Sequence, residues 1–79
     1  MRVEVQLFAT LGTYLPPDAL GDSVAFDVPE GTTVGDLIRA LRIPTDLECL
    51  SVVNGIDAGP RHQLVDGDVV SLFPPLAGG

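Results

Sequence analysis

Thr33-Val34-Gly35-Asp36-Leu37-Ile38-Arg39-Ala40-Leu41-Arg42-Ile43-Pro44 decides the fold. Val34, Leu37, Ile38 and Leu41 follow i, i+3, i+4, i+7 spacing, which places one apolar stripe on one side of a helix. Thr33 can cap that helix, because its hydroxyl accepts from an early backbone N–H, and Asp36 stands three residues later, as in a capping box. Arg39 and Arg42 lie toward the end where cations suit the helix dipole. Pro44 cannot continue a helix. The spacing predicts a helix over residues 34–43.

Outward from this helix the period changes from 3.6 to 2. Residues 2–8 alternate strictly, with Val3, Val5 and Leu7 on one face. Residues 23–28 alternate again, with Val24, Phe26 and Val28 inward, and Pro29-Glu30-Gly31 ends them. Residues 50–53 form a third strand, closed by the turn dipeptide Asn54-Gly55. Residues 61–65 are expected as a short edge strand, Asp66-Gly67-Asp68 as a turn, and residues 69–73 as the last strand. Gly12, Pro16, Pro17 and Gly21 make residues 9–22 a long loop with room for one short helical turn. One helix must bury its stripe against one face of one sheet. The expected fold is therefore α+β: a β-grasp roll, with a mixed sheet of four to five strands on one main helix. In that topology the first and last strands are parallel neighbours at the centre. Residues 1–73 are expected to form the domain and residues 74–79 a flexible tail.

The chain of 79 residues is long enough for one domain, whose modest core leaves no room for a deep cleft of its own. A net charge of −7 argues against nucleic-acid phosphates as a partner and fits a basic protein surface. The single cysteine, Cys49, excludes an internal disulfide and a cysteine-ligated metal site built from this chain alone. Glu4 interrupts the start before any apolar signal region, and no apolar run is long enough to span a membrane. Cytoplasm is the expected compartment, with no membrane partner. Lysine is absent, and all four cations are arginine. Codon bias accounts for that; a chain whose end becomes an activated acyl group is also safer without amines that attack it.

The sequence finishes Phe73-Pro74-Pro75-Leu76-Ala77-Gly78-Gly79. Gly78 and Gly79 have no Cβ and can pass a gap that other residues would block. Pro74 and Pro75 hold the base of the tail extended. Residues 74–79 can reach roughly 20 Å at about 3.3–3.6 Å per residue. The working group is expected to be the carboxylate of Gly79. By period-two counting Phe8 and Phe73 both face away from the helix, and on parallel neighbouring strands they share the open sheet face. Paired aromatics beside a functional tail mark a partner-binding surface. Cys49 is expected to be a partly buried structural cysteine, His62 a surface residue, and Asp66 and Asp68 turn formers. No catalytic or metal-binding residue is expected.

Three patterns coincide: Leu7-Phe8-Ala9 at the end of the first strand, Val53-Asn54-Gly55, and Asp66-Gly67-Asp68 followed by the Phe73-Pro74-Pro75…Gly78-Gly79 ending. Together they resemble the ubiquitin-like sulfur carriers of the MoaD/ThiS family, and the tail looks most like that of the small subunit of molybdopterin synthase. The resemblance implies that an E1-like adenylating enzyme transfers AMP from ATP to the Gly79 carboxylate. Sulfur then displaces AMP and leaves a thiocarboxylate. It implies that Pro74, Pro75, Leu76, Ala77 and Gly78 thread into a partner, the large subunit of molybdopterin synthase or another sulfur acceptor. On that reading the chain is a carrier and not an enzyme, with no bound cofactor and ATP held by the partner. Other acceptors stay open: thiamine thiazole, cysteine, a tungsten cofactor, or a protein amine. A β-grasp interaction module without sulfur chemistry is the alternative of another class.

Overall fold

Strict alternation in Arg2–Leu7 builds β1, whose inward residues Val3, Val5 and Leu7 are all 1% exposed or less. The computed structural model describes residues 1–17, 19, 21–44 and 49–74. Expectations for Pro75, Leu76, Ala77, Gly78 and Gly79 lie outside the described residues. β2 is Ser23–Asp27, β3 Leu50–Val53, β4 Ile56–Asp57 and β5 Val69–Phe73. They form one mixed sheet in the order β2-β1-β5-β3-β4. β1 and β5 pair in parallel at its centre, with Leu7 opposite Leu72, while the other pairs are antiparallel. This is the β-grasp arrangement that the alternation and the single helix imply.

The helix α1, Val34–Ala40, closes its first turn with a reciprocal capping box. The Asp36 N–H donates to Thr33 Oγ1 at 3.1 Å, and the Thr33 N–H donates to Asp36 Oδ2 at 3.0 Å. Val34 and Leu37 from α1, Leu11, and the inward residues of β1 and β5 share one core. Burying a side chain such as Leu37 contributes about 1.5–3 kcal/mol.

The helix ends earlier than the expected residue 43. Arg42 adopts a left-handed φ of 63°. Its N–H donates to the Arg39 carbonyl at 3.0 Å, and the Ile43 N–H reaches the Ile38 carbonyl at 3.3 Å. These two bonds are a Schellman closure, with arginine where glycine is usual. The turn directs Ile43 into the core, where it is 2% exposed. Pro44 stands after a helix that has already closed.

Residues 61–65 are not the expected edge strand; only Gln63 makes an isolated bridge, to Thr33. The backbone here serves the helix instead. The Val34 N–H donates to the His62 carbonyl at 3.0 Å and the Gly35 N–H to the Pro60 carbonyl at 2.8 Å. Those are first-turn donors with no partner inside the helix. The approach is so close that a Cβ on Gly35 would lie 3.0 Å from Pro60 O. The sheet edge is instead β4, paired to β3 across Asn54-Gly55. Both turn residues have positive φ, 52° and 83°, the conformation of a two-residue type I′ hairpin. The loop after β1 begins with a 3-10 helix, Ala9–Tyr14, whose Leu11 is buried in the core.

Candidate docking surface and tail base

The parallel pairing of β1 with β5 carries the two chains side by side to the same end of the sheet. There the Phe8 N–H donates to the Leu72 carbonyl at 3.1 Å. The Phe8 and Phe73 rings stack with centroids 4.7 Å apart and planes 6° from parallel. Both are half-buried. Strand parity puts them on the face opposite α1, as expected from the sequence. Pro74, also half-buried, follows at once, so the tail leaves beside the stacked rings.

Leu50 is the residue that sequence reasoning missed. It stands opposite Phe73 in the β3–β5 register and is 55% exposed. Val52 lies two residues along the same face, opposite Ser71. The surface at the tail base is therefore Phe8, Phe73 and Leu50, with Val52 behind. The parity of β3 points the other way, because Leu50 and Val52 are apolar while Ser51, 8% exposed, takes the inward place; only the register puts Leu50 outward beside Phe73. Ser71 Oγ donates to Gln6 Oε1 at 3.2 Å and sets a polar border to this patch.

Cys49 directly precedes Leu50 and is half-buried, as expected. Burial raises its thiol pKa, which keeps the thiolate scarce. His62 is exposed, as expected. It borders a second groove, between β4 and the segment before Asp66, where Ile56 and Val65 are 72% and 62% exposed.

Asp66 and Asp68 flank a turn, with Gly67 at φ 88°. Asp68 does more than form it. Only 4% exposed, it accepts from the Val65 N–H and from Asn54 Nδ2, each at 2.8 Å. Asn54 Oδ1 in turn accepts from the Val69 N–H at 2.9 Å. The β3–β4 hairpin is thereby tied to the start of β5. Asp66 Oδ1 accepts from the Arg2 N–H at 2.8 Å and fixes the same turn to the start of β1. Among the described residues no group of three or more His, Cys, Asp or Glu side chains converges as a metal site. Among them, too, no helix is long and apolar enough to cross a membrane.

A mixed sheet with a parallel central pair, packed on one helix, defines a ubiquitin-like β-grasp protein. The ThiS family model matches residues 5–79, and the chain belongs to that family. It is 33% identical, over an alignment of 97 positions covering all of both chains, to small archaeal modifier protein 3 of Haloferax volcanii. The crystal structure of SAMP1 from Haloferax volcanii superposes with a TM-score of 0.74 at 31% identity, covering all of both chains. A putative molybdopterin converting factor subunit 1 from Pyrococcus furiosus gives a TM-score of 0.73 at 29% identity, over 95% of this chain and 98% of that one. The molybdopterin-converting factor of Helicobacter pylori 26695, solved as a complex of subunits 1 and 2, gives 0.60 at 25% identity with both chains fully covered. The chain is thus a member of a family of small sulfur carriers and ubiquitin-like modifiers.

Proposed function

We propose that this chain is a sulfur carrier whose Gly79 carboxylate is adenylated, converted to a thiocarboxylate, and presented as the small subunit of molybdopterin synthase. A free carboxylate is a poor acyl donor, because its leaving group would be oxide. Adenylation supplies a good leaving group, and a thiocarboxylate sulfur is a soft nucleophile that outlasts the adenylate in water. An E1-like partner supplies ATP binding and catalysis; this chain supplies the acyl group, the tail that delivers it, and the Phe8–Phe73–Leu50 docking surface. It is a carrier, with no resident cofactor, and works in the cytoplasm.

The observation that carries the reading is that the family match includes Gly78 and Gly79. Support for the molybdopterin branch comes from the likeness to converting-factor subunit 1 over nearly all of both chains. A second reading keeps the adenylation and passes the acyl group to a protein amine. The 33% identity to small archaeal modifier protein 3 favours it.

Intact-mass measurement after incubation with the cognate activating enzyme, ATP and sulfide tests the shared step. The expected product is heavier by the difference between sulfur and oxygen; an unchanged mass overturns both readings. Adding either the large synthase subunit with its precursor or a lysine-bearing acceptor then separates the branches. Dithiolene formation supports the first, and an amide adduct alone supports the second.

A further inference from the structure

We propose that this chain donates its acyl group but does not accept one from a second copy, so that each modified amine carries a single copy. The inference rests on the activation of Gly79 proposed above and concerns what the activated end can attack. In acyl transfer to an amine, the nitrogen lone pair bonds to the Gly79 carbonyl carbon. The bond from that carbon to the AMP oxygen breaks, its electron pair leaves with AMP, and the nitrogen gives a proton to water. A self-modifying chain needs a nucleophile of its own.

The 79 residues hold no lysine, and the four cations are Arg2, Arg39, Arg42 and Arg61. A guanidinium stays protonated and is no nucleophile. The amine that remains is the α-amine of Met1. It donates to the Val28 carbonyl at 2.8 Å, which extends the β1–β2 pairing by one step, and Met1 is packed half-buried against the core. Hydroxyls are weak nucleophiles without an adjacent base. Cys49, the one thiol, is half-buried, and burial holds it toward the protonated form.

Topology adds a separation in space. β1 and β5 run parallel, so Met1 lies at the end where both strands begin, and Phe73 leads out at the other. Met1 to Phe8 is seven residues along an extended strand, roughly 23 Å at about 3.3 Å per residue. Residues 74–79 reach about 22 Å when fully extended, at about 3.6 Å per residue. To approach its own amine the tail would have to turn back at Phe73 and stay fully extended along almost the whole sheet. The parallel central pair starts the tail at the end of the sheet opposite the amine, and the arginine-only surface removes lysine acceptors between molecules.

The test supplies the activated end chemically and so does not depend on the activating enzyme. The chain is prepared with Gly79 as an aryl thioester and followed by intact mass, alone and with Nα-acetyl-lysine amide as the amine probe. Arg61→Lys, at an exposed turn, is treated in the same way. Wild type alone should give hydrolysed monomer only, and the probe should form an amide adduct. Arg61→Lys should give covalent dimers and a ladder of longer species. Wild-type dimers, or a cyclised monomer, appearing as readily as that ladder would overturn the proposal. Monomer alone from both proteins would overturn it too, because lysine would then not be what is missing. Failure of the enzyme to activate Gly79 would sink the carrier proposal and leave these results standing.

Discussion

Phe8 and Phe73, 65 residues apart in the chain, stack with ring centroids 4.7 Å apart where the tail leaves the sheet. The register of β1 against β5 makes the pair, because Leu7 stands opposite Leu72 and each ring follows by one residue. Such stacking is worth about 0.5–1.5 kcal/mol beyond the area it buries. The rings pack on each other on the open face, where the proposed function has them anchor the partner.

Phe73→Ala, Phe8→Ala and Leu50→Ala should each weaken binding to the activating enzyme or the synthase subunit by about 1–3 kcal/mol. Calorimetric titration against either partner reads the loss. Thermal stability should fall least for Leu50→Ala, which is 55% exposed, and more for the two half-buried rings, though not enough to unfold the domain. A large fall in Tm with unchanged affinity would show that the rings serve the fold alone.

Asp68→Ala should cost about 1–3 kcal/mol, because it leaves the part-buried Val65 N–H and Asn54 amide without their acceptor. Denaturant unfolding reads this cost. Asp66→Ala, at an exposed position, should cost much less. Equal losses from the two would contradict the assignment of Asp68 as the tie between hairpin and β5.

Asp36 gives a pH dependence with a defined sign. The hydrogen bond from the Thr33 N–H is the main cause that lowers its pKa from the ordinary 3.8, helped by the Thr33 hydroxyl and by Arg39. Its ion pair with Arg39 lies on an exposed helix face. A depressed folded pKa means that the contribution is present above the unfolded value and is lost as pH falls through the folded one. Stability should therefore decline below about pH 4, and Asp36→Asn should flatten that part of the curve. An unchanged acid limb in Asp36→Asn would assign it to other carboxylates.

The parts of the fold read correctly from the sequence are those with local signals. Val3, Val5 and Leu7 alternate, Thr33 and Asp36 mark a capping box, and Val34, Leu37 and Leu41 mark one stripe. The parts missed were decided by distant partners. β4 has two residues, too few for alternation to register, and its signal was the Asn54-Gly55 hairpin turn. Residues 61–65 read as a strand, yet the carbonyls of Pro60 and His62 go to the first-turn donors of α1, which no local pattern reveals. Arg42 gave no sign of a left-handed turn, because arginine lacks the freedom that makes glycine the usual marker. At the candidate site the same division holds. Parity sent Phe8 and Phe73 to one face, whereas the place of Leu50 beside them, and the closure of Asn54 onto Asp68, depend on register.

ATP–pyrophosphate exchange by the cognate activating enzyme, with wild type and with the chain lacking Gly79, tests most directly the claim that Gly79 is the activated group. Removing Gly79 draws the carboxylate back by about 3.5 Å. Misplacement of about 1 Å already costs on the order of 100-fold in a positioned reaction. Exchange should collapse by at least that factor, while the shortened chain still folds and competes with wild type for the enzyme through Phe8, Phe73 and Leu50. Exchange at near wild-type rate without Gly79 would contradict the account at its centre.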